Sequence, residues 1–408
     1  MKKHNILENI ILVISFFMVV AFPYITALYN NTANIENSDK LSGSEEKVEL
    51  SFEKLDDYVI QNFPNRNQII KTKNQFLYKL FDISPNANIT KVGDNLFSTE
   101  TLNYYLHNLY DVEEKDVDEL VDKFKRFNDY CDKNDKKMVI ILTPCKPRYY
   151  EGEFPLVDDI IAMHDKHTKT NHLDYIDNSD EDILTNNNLA LQKRIRPYNI
   201  LRDKLKKNDI KFFDSIEYID SHKDTIIDGI PPLFYNSGHH WSLYKGNLVG
   251  LALHQYLREN LDLKIPKLSI KATPSDVAIY PDSDLFDVLN IYDKPEEQFY
   301  KSEITFENFE TGPSNFIVQG GSFLGSLLIP QVTVNPFGDV AHIENKSMFY
   351  DKYRELVSFD SYEEANSKYD LLDRCKKADV FIFEIHELNV YNATFGFLDF
   401  LLEHMGEM

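Results

Sequence analysis

The chain has 408 residues, 43% of them hydrophobic, which excludes a disordered polypeptide and suffices for one large domain or two ordinary ones. Its 66 acidic against 44 basic side chains give a formal net charge of −22, which excludes nucleic acid or an anionic membrane surface held through the bulk field. Three cysteines, Cys131, Cys145 and Cys375, are too few and too odd in number for a disulfide framework, and they form no Cys-x-x-Cys zinc pair.

Lys2 and Lys3 precede an apolar run from Ile10 to Leu28, interrupted only by Ser15, Pro23 and Thr26. At ~1.5 Å per residue this run spans about 28 Å, close to the hydrocarbon thickness of a bilayer. The basic flank favours a cytoplasmic N-terminus. The run therefore predicts a signal-anchor over 1–28, a polar stem over 29–50, and a domain over 51–408 on the outer face. A cleaved signal peptide is the rival, although Tyr29 to Glu49 lacks the small-x-small pattern of a cleavage site.

Phe52 to Phe81 reads as helical, with a break at Phe63-Pro64-Asn65-Arg66. Asn95 to Phe97 reads as a short extended piece. Glu114 to Lys133 carries Val117, Leu120, Val121, Phe124, Phe127 and Cys131 at helical spacing, with charge on the other face. Met138 to Thr143 is a continuous apolar run ending at Pro144-Cys145-Lys146-Pro147, as expected of a strand buried on both faces. Glu151 to Gln192 turns polar and weakly periodic and reads as an insertion. It holds His164, His167 and His172, which are surface histidines in the simpler reading and metal ligands in a rival one.

Tyr198 to Lys206 predicts a helix and Lys211 to Asp214 a second strand. Ser237-Gly-His-His-Trp-Ser242 precedes a helix from Leu243 to about Leu257, with Ser242 as its N-cap. Residues 260 to 310 are Pro- and Asp-rich and show no readable period. Phe316-Ile-Val318 predicts a third strand that breaks at Gly320-Gly321, presents Ser322 and enters a short apolar helix. Val332-Thr-Val334 predicts a fourth, ending at Asn335-Pro-Phe-Gly338. A helix over Tyr362 to Lys376 leads to the fifth, Val380 to Glu384, and Phe395 to His404 closes the chain as a helix. Five short apolar strands separated by helices predict an α/β fold: a three-layer α/β/α sandwich on a mainly parallel five-stranded sheet. In such sheets reactive residues lie beyond the carboxyl ends of strands, where Lys146, Ser322, Asn335 and Glu384 fall.

A strand that stops at glycines and hands a serine to a helix start can display a nucleophile. It is also an ordinary capped turn. A serine nucleophile needs a base, and the base an orienting partner. His240, directly before Trp241, the one tryptophan, is the best base, with the indole expected to pack the ring in place; a pair of structural turn histidines is the alternative.

Ser237-Gly-His-His-Trp-Ser242 resembles the Asp-His-His-Trp or Asp-x-His-Trp motif of exported SGNH-hydrolase-like proteins, a family that includes the alginate O-acetyltransferases of the bacterial envelope. Gly320-Gly-Ser-Phe323 resembles that family's Gly-Asp-Ser-Phe block, Pro144-Cys-Lys146 its Pro-x-Lys strand end, Phe63-Pro-Asn-Arg66 its Phe-Pro-x-Arg, and Val380 to Leu388 its closing strand. Order and spacing agree over about residues 50 to 408. The resemblance implies acyl transfer, usually acetyl, to a hydroxyl of an exported polysaccharide, without a bound cofactor or metal. It implies Ser322 as nucleophile, His240 as base, and an oxyanion and substrate region around Gly320, Gly321, Lys146 and Trp241. As partners it implies the polysaccharide and a polytopic membrane acyltransferase that delivers the acyl group beside the 10–28 anchor. The Asp before the serine is Gly321 here. The motif Asp that would orient the histidine is Gly238, so His239, Asp339 or a backbone carbonyl would have to substitute. Failing that, the chain is a Ser-His dyad enzyme, a slow enzyme, or an inactive carbohydrate-binding or scaffold relative. Four Asn-x-Ser/Thr sequons, at Asn30, Asn88, Asn345 and Asn392, are consistent with export and also expected by chance in so asparagine-rich a chain.

Overall fold

Continuous apolar runs make strands that must be covered on both faces. The computed structural model of the protein describes residues 66–107, 112–150, 196–307, 315–327, 340–344, 347–350 and 355–408. A hairpin of β1 (Ile89–Val92) and β2 (Asn95–Ser98) comes first. The main sheet takes β3 (Lys137–Thr143), β4 (Phe212–Asp214), β7 (Phe316–Gly320), β8 (Val340–Glu344), β9 (Ser347–Tyr350), β10 (Glu355–Ser358) and β11 (Val380–His386). Its order is β10-β9-β8-β7-β11-β3-β4. The pairs β8–β7, β7–β11, β11–β3 and β3–β4 are parallel, and β9 and β10 are added antiparallel at one edge. A second hairpin joins β5 (Leu268–Ser275) to β6 (Phe299–Phe306).

Alternation along the strands divides the core in two. Met138, Ile140 and Leu142 of β3 share a face with Ile317, Phe381, Phe383 and Ile385, and meet the helices Glu114–Lys133, Arg196–Lys207, Tyr362–Tyr369, Leu371–Lys377 and Phe397–Glu403. Val139 and Ile141 share the other face with Phe316, Val318, Val380 and Ile382, and meet the helices Ser215–Ser221, Leu243–Asn260 and 323–327. Helices thus cover both faces of the sheet. Helix Glu114–Lys133 runs from a capping box of Glu113 and Asp116 and buries Phe124 and Phe127 completely against Phe383 and Phe381. Each such ring contributes ~1.5–3 kcal/mol by leaving water.

Several expectations change. Among the described residues the main sheet has seven strands rather than five, because Val340 to Ser358 adds three that no continuous apolar run announced. The expected strand Val332–Val334 lies outside the described residues, as do the anchor and stem over 1–50, the insertion over 151–192 and residues 52–65 of the first helix; of that helix Arg66–Leu80 is described. Among the described residues no helix is long and apolar enough to cross a membrane. The helix expected over Tyr362 to Lys376 is two helices, divided at Asp370, whose φ of 54° is left-handed. The unread stretch 260 to 310 holds the β5–β6 hairpin and a single helical turn, Asp284–Asp287.

The chain divides into two compact units. Among the described residues the smaller takes 66–85 together with Leu289–Lys294. In it Asn74 Nδ2 donates to the Leu289 carbonyl at 3.0 Å, the Tyr292 N–H donates to Gln75 Oε1 at 2.8 Å, and Lys79 pairs with Asp293 at 2.9 Å. The larger, 86–288 with 295–408, contains both hairpins, the main sheet and the site.

Candidate active site

The histidine loop, residues 233 to 242, is fastened from below by a lysine. Lys146 follows β3 at the first position of a 3₁₀ turn and is completely buried. Its ammonium donates to the carbonyls of Leu96 (2.8 Å), Tyr235 (2.8 Å), Asn236 (3.1 Å) and Gly238 (2.8 Å), with the Phe97 and Tyr150 rings 4.9 and 5.5 Å away. A buried charge survives only when its donors are satisfied. Lys146 therefore does not line a substrate groove; it fixes the backbone just ahead of the histidines. Glu297 adds to this by accepting the N–H groups of Asn236 (2.6 Å) and Ser237 (3.1 Å). The Ser242 N–H donates to Leu233 at 2.7 Å and closes the loop.

A second segment, Pro281 to Asp287, packs on this loop. The Ser237 hydroxyl donates to the Asp282 carbonyl at 3.2 Å, and the Phe286 N–H donates to the Ser237 carbonyl at 3.0 Å. The contact is close enough to need a glycine. A Cβ at Gly238 would lie 2.7 Å from the Asp282 carbonyl oxygen. Asp282 is buried and accepts the Leu243 N–H at 2.7 Å, while its other carboxyl oxygen has no partner; burial pushes its carboxyl up to about 7.

This packing delivers Asp284 to His240. His240 Nδ1 lies 2.6 Å from Asp284 Oδ2, and His240 Nε2 lies 2.7 Å from Ser322 Oγ. The other oxygen of Asp284 accepts the N–H groups of His239 (2.7 Å) and Leu285 (2.9 Å). Burial pushes the Asp284 carboxyl up, but the hydrogen bond and charge of His240 and the His239 N–H outweigh it and hold the carboxyl below its ordinary value. An ionised acid fixes the proton of His240 on Nδ1 and leaves Nε2 to accept from the serine hydroxyl. The orienting group is thus Asp284, neither His239 nor a backbone carbonyl; Asp339 lies outside the described residues.

His239 contributes its N–H to Asp284 and its ring, edge-on to His240 at 4.8 Å and 77°, to the wall of the site. Burial first, then the charge of His240, depress it to about 3, so it is neutral. Trp241 reaches the site through Phe323, whose ring meets both Trp241 and His240. It is completely buried, donates its indole N–H to Ser326 Oγ at 2.9 Å, and packs edge-on against Phe323 at 5.5 Å. Phe323 is the ring against His240, at 4.9 Å.

Ser322 is exposed, directly beyond β7 and ahead of the helical turn 323–327. Gly320 and Gly321 place it by yielding to Glu384. A Cβ at Gly320 would lie 2.6 Å from the Glu384 carboxylate, and the Gly321 N–H donates to Glu384 Oε2 at 2.6 Å. Glu384 is buried and also bonded by the Thr143 hydroxyl. The Gly321 N–H is therefore committed to a carboxylate and does not face an oxyanion. Around Ser322 lies a cleft of about 260 Å³, whose walls include Tyr104, His239, Glu384, His386 and Tyr391.

The sequence brought out Ser322 and His240 but missed Asp284, Phe323 and His386. Asp284 is one acid among 66 in a stretch without period; the available signal was Gly238, a glycine where a side chain was expected. Among the described residues no cluster suited to a metal ion occurs, and His164, His167 and His172 lie outside them.

The site is a hydrogen-bonded serine–histidine–aspartate chain at the carboxyl edge of a parallel sheet. No protein-family model and no curated protein matches the sequence. Solved structures that resemble it include the O-acetyltransferase domain of Pseudomonas putida AlgJ, at 14% identity and a TM-score of 0.43 over 74% of this chain and 92% of that one. Bacillus cereus PatB1 resembles it at 9% identity and 0.40, over 74% and 96%. Pseudomonas aeruginosa AlgX does so at 11% and 0.41, over 76% and 66%.

Proposed function

We propose that the protein is an extracytoplasmic O-acyltransferase or esterase that acts on hydroxyls of a cell-envelope polysaccharide. Ser322 is its nucleophile, His240 its general base and Asp284 the orienting acid. The observation that carries this reading is the pair of short hydrogen bonds on opposite nitrogens of His240, 2.7 Å to Ser322 and 2.6 Å to Asp284. The Ser322 hydroxyl gives its proton to His240 Nε2 as Oγ attacks the donor carbonyl. The imidazolium, held by Asp284, returns that proton to the leaving group. An acceptor hydroxyl then attacks the acyl-serine and loses its proton to His240, and the acyl–Oγ bond breaks as Oγ regains one. The N–H groups of Ser322 and of a neighbouring loop form the oxyanion hole in this reading. Anchoring through residues 10–28, and supply of the acyl group by a polytopic membrane acyltransferase, belong to the same proposal.

The inactive-scaffold alternative rests on Gly238, where the motif has its acid. The Asp284 carboxylate on the second ring nitrogen of His240 removes that motive. Exposure of intact protein to a fluorophosphonate, with p-nitrophenyl acetate turnover in parallel, tests the proposal. Wild type should be labelled and release p-nitrophenol, and Ser322→Ala should do neither. Absence of label on folded wild type, beside a labelled control hydrolase, would overturn it.

A further inference from the structure

Helix Arg66–Leu80 carries its polar face inward and its apolar face outward. The face laid on residues 289–293 of its own unit bonds through polar groups. Asn74 Nδ2 donates to the Leu289 carbonyl, and Gln75 Oε1 accepts the N–H groups of Tyr292 and Asp293 at 2.8 and 3.2 Å. The Tyr292 hydroxyl donates to the Gln68 carbonyl at 3.1 Å, Lys79 pairs with Asp293, and the Lys71 ammonium lies 4.9 Å from the centre of the Tyr292 ring. The helix buries no residue. Ile69, Lys73, Phe76 and Leu80 follow one another at helical spacing and so share one outward stripe. Phe76, Leu80 and the next residue, Phe81, are 49%, 58% and 55% exposed. Large apolar side chains grouped in this way mark a surface that something covers.

Charge selects what covers it. Within the described residues of this unit Arg66, Lys71, Lys73, Lys79 and Lys294 stand against Asp82 and Asp293, a net +3 in a chain of −22. Arg66, Lys71 and Lys73 form no ion pair among the described residues, and Arg66 and Lys73 are exposed. An apolar stripe flanked by unpaired cations suits the boundary between headgroups and acyl chains of an anionic bilayer, with the rings and the leucine on the acyl side and the cations at the phosphates. The core of a protein–protein interface is, by contrast, depleted in lysine. The acidic remainder of the chain does not cancel this attraction, because exposed charges farther apart than about 8 Å are largely screened at physiological ionic strength. We propose that helix Arg66–Leu80, with Phe81, docks flat on an anionic lipid surface through this stripe. Neither acyl transfer nor an anchor over 10–28 is needed for the docking.

The test reconstitutes the full chain in vesicles of phosphatidylcholine, alone or mixed with phosphatidylglycerol, with and without a doxyl-labelled lipid that quenches tryptophan. Trp241, the one native tryptophan, is completely buried and supplies a constant background. The emission added by Phe76→Trp should be blue-shifted and strongly quenched in the anionic vesicles and little changed in the neutral ones. Leu80→Trp, one turn further on, should report the same. Arg66→Glu combined with Lys73→Glu should lower the docked-to-free ratio read from the quenching by at least about tenfold, since each basic side chain at an anionic surface adds to the attraction. The urea midpoint and the rate on p-nitrophenyl acetate should stay at their parent values. Equal quenching in both kinds of vesicle, or quenching that survives the charge reversal, overturns an anionic surface as the partner. No quenching in either vesicle overturns docking on lipid; a blue shift that then grows with protein density would assign the stripe to a second copy of the chain instead.

Discussion

Restoring the acid that the histidine motif lacks should damage the site. A Cβ at Gly238 would stand 2.7 Å from the Asp282 carbonyl oxygen and 3.4 Å from that of Pro281. Both oxygens are backbone, so no side chain can swing aside. To reach ordinary contact the Pro281–Asp284 segment must retreat by about 0.7 Å, and the histidine loop cannot yield instead because Lys146 and Glu297 hold it. The bond from His240 to Asp284, 2.6 Å now, then stretches beyond ~3.2 Å, where hydrogen bonds weaken steeply. A misplacement of ~1 Å can cost about 10²-fold in rate, and overpacking costs ~1–3 kcal/mol of stability. Gly238→Asp should therefore lower kcat on p-nitrophenyl acetate by about 10²-fold or more and lower the urea midpoint. Gly238→Ala should move both the same way, showing that volume rather than charge is at fault. A Gly238→Asp enzyme as fast as wild type would refute the reasoning, since the loop would then accept the carboxylate with Asp284 in place or replaced.

Further outcomes follow from individual groups. Asp284→Asn should cut kcat by about 10³- to 10⁴-fold with KM little changed, because the amide no longer secures the His240 tautomer; a loss under tenfold would remove Asp284 from the triad. Lys146→Met should cost about 3 kcal/mol in urea unfolding, through carbonyls left without a donor; unchanged stability would show that water replaces it. Asp282, raised to about 7 against 3.8, binds its proton more tightly when folded, so its contribution is complete below about 4 and is lost as pH rises through about 7. Asp282→Asn keeps an acceptor for the Leu243 N–H and should flatten the decline of stability over that window; an equal decline in the variant would assign it elsewhere.

The parts of the fold that could be read were those in which one periodicity dominates. Met138 to Thr143, Phe316 to Val318 and Val380 to Glu384 are buried on both faces, so their apolar runs are continuous and unmistakable. Helix Glu114–Lys133 shows its stripe because its opposite face is solvated. The strands from Val340 to Ser358 sit at one edge of the sheet, where sequence alternates with polar residues and the signal fades. The strand end that carries Lys146 is legible in sequence but its task is not, because a buried lysine differs from a surface one only through the carbonyls that surround it. Ser322 and His240 were legible since turn glycines and a neighbouring tryptophan mark them. Asp284 was not, because nothing local distinguishes an acid that faces an imidazole across the fold from one that faces water.

Gly238 and Asp284 are two sides of one arrangement. The orienting acid of a catalytic histidine need only reach the free ring nitrogen, and chain order does not constrain where it comes from. Here it arrives from 44 positions downstream, on a segment that can lie against the histidine loop only because residue 238 has no side chain. The same segment carries Asp282, which accepts the first N–H of helix Leu243–Asn260 and so fixes that helix start behind His240. The histidine is thereby held from both sides by one loop, its ring by Asp284 and the helix that follows it by Asp282. A glycine that looked like the loss of a catalytic group is the space through which its replacement enters.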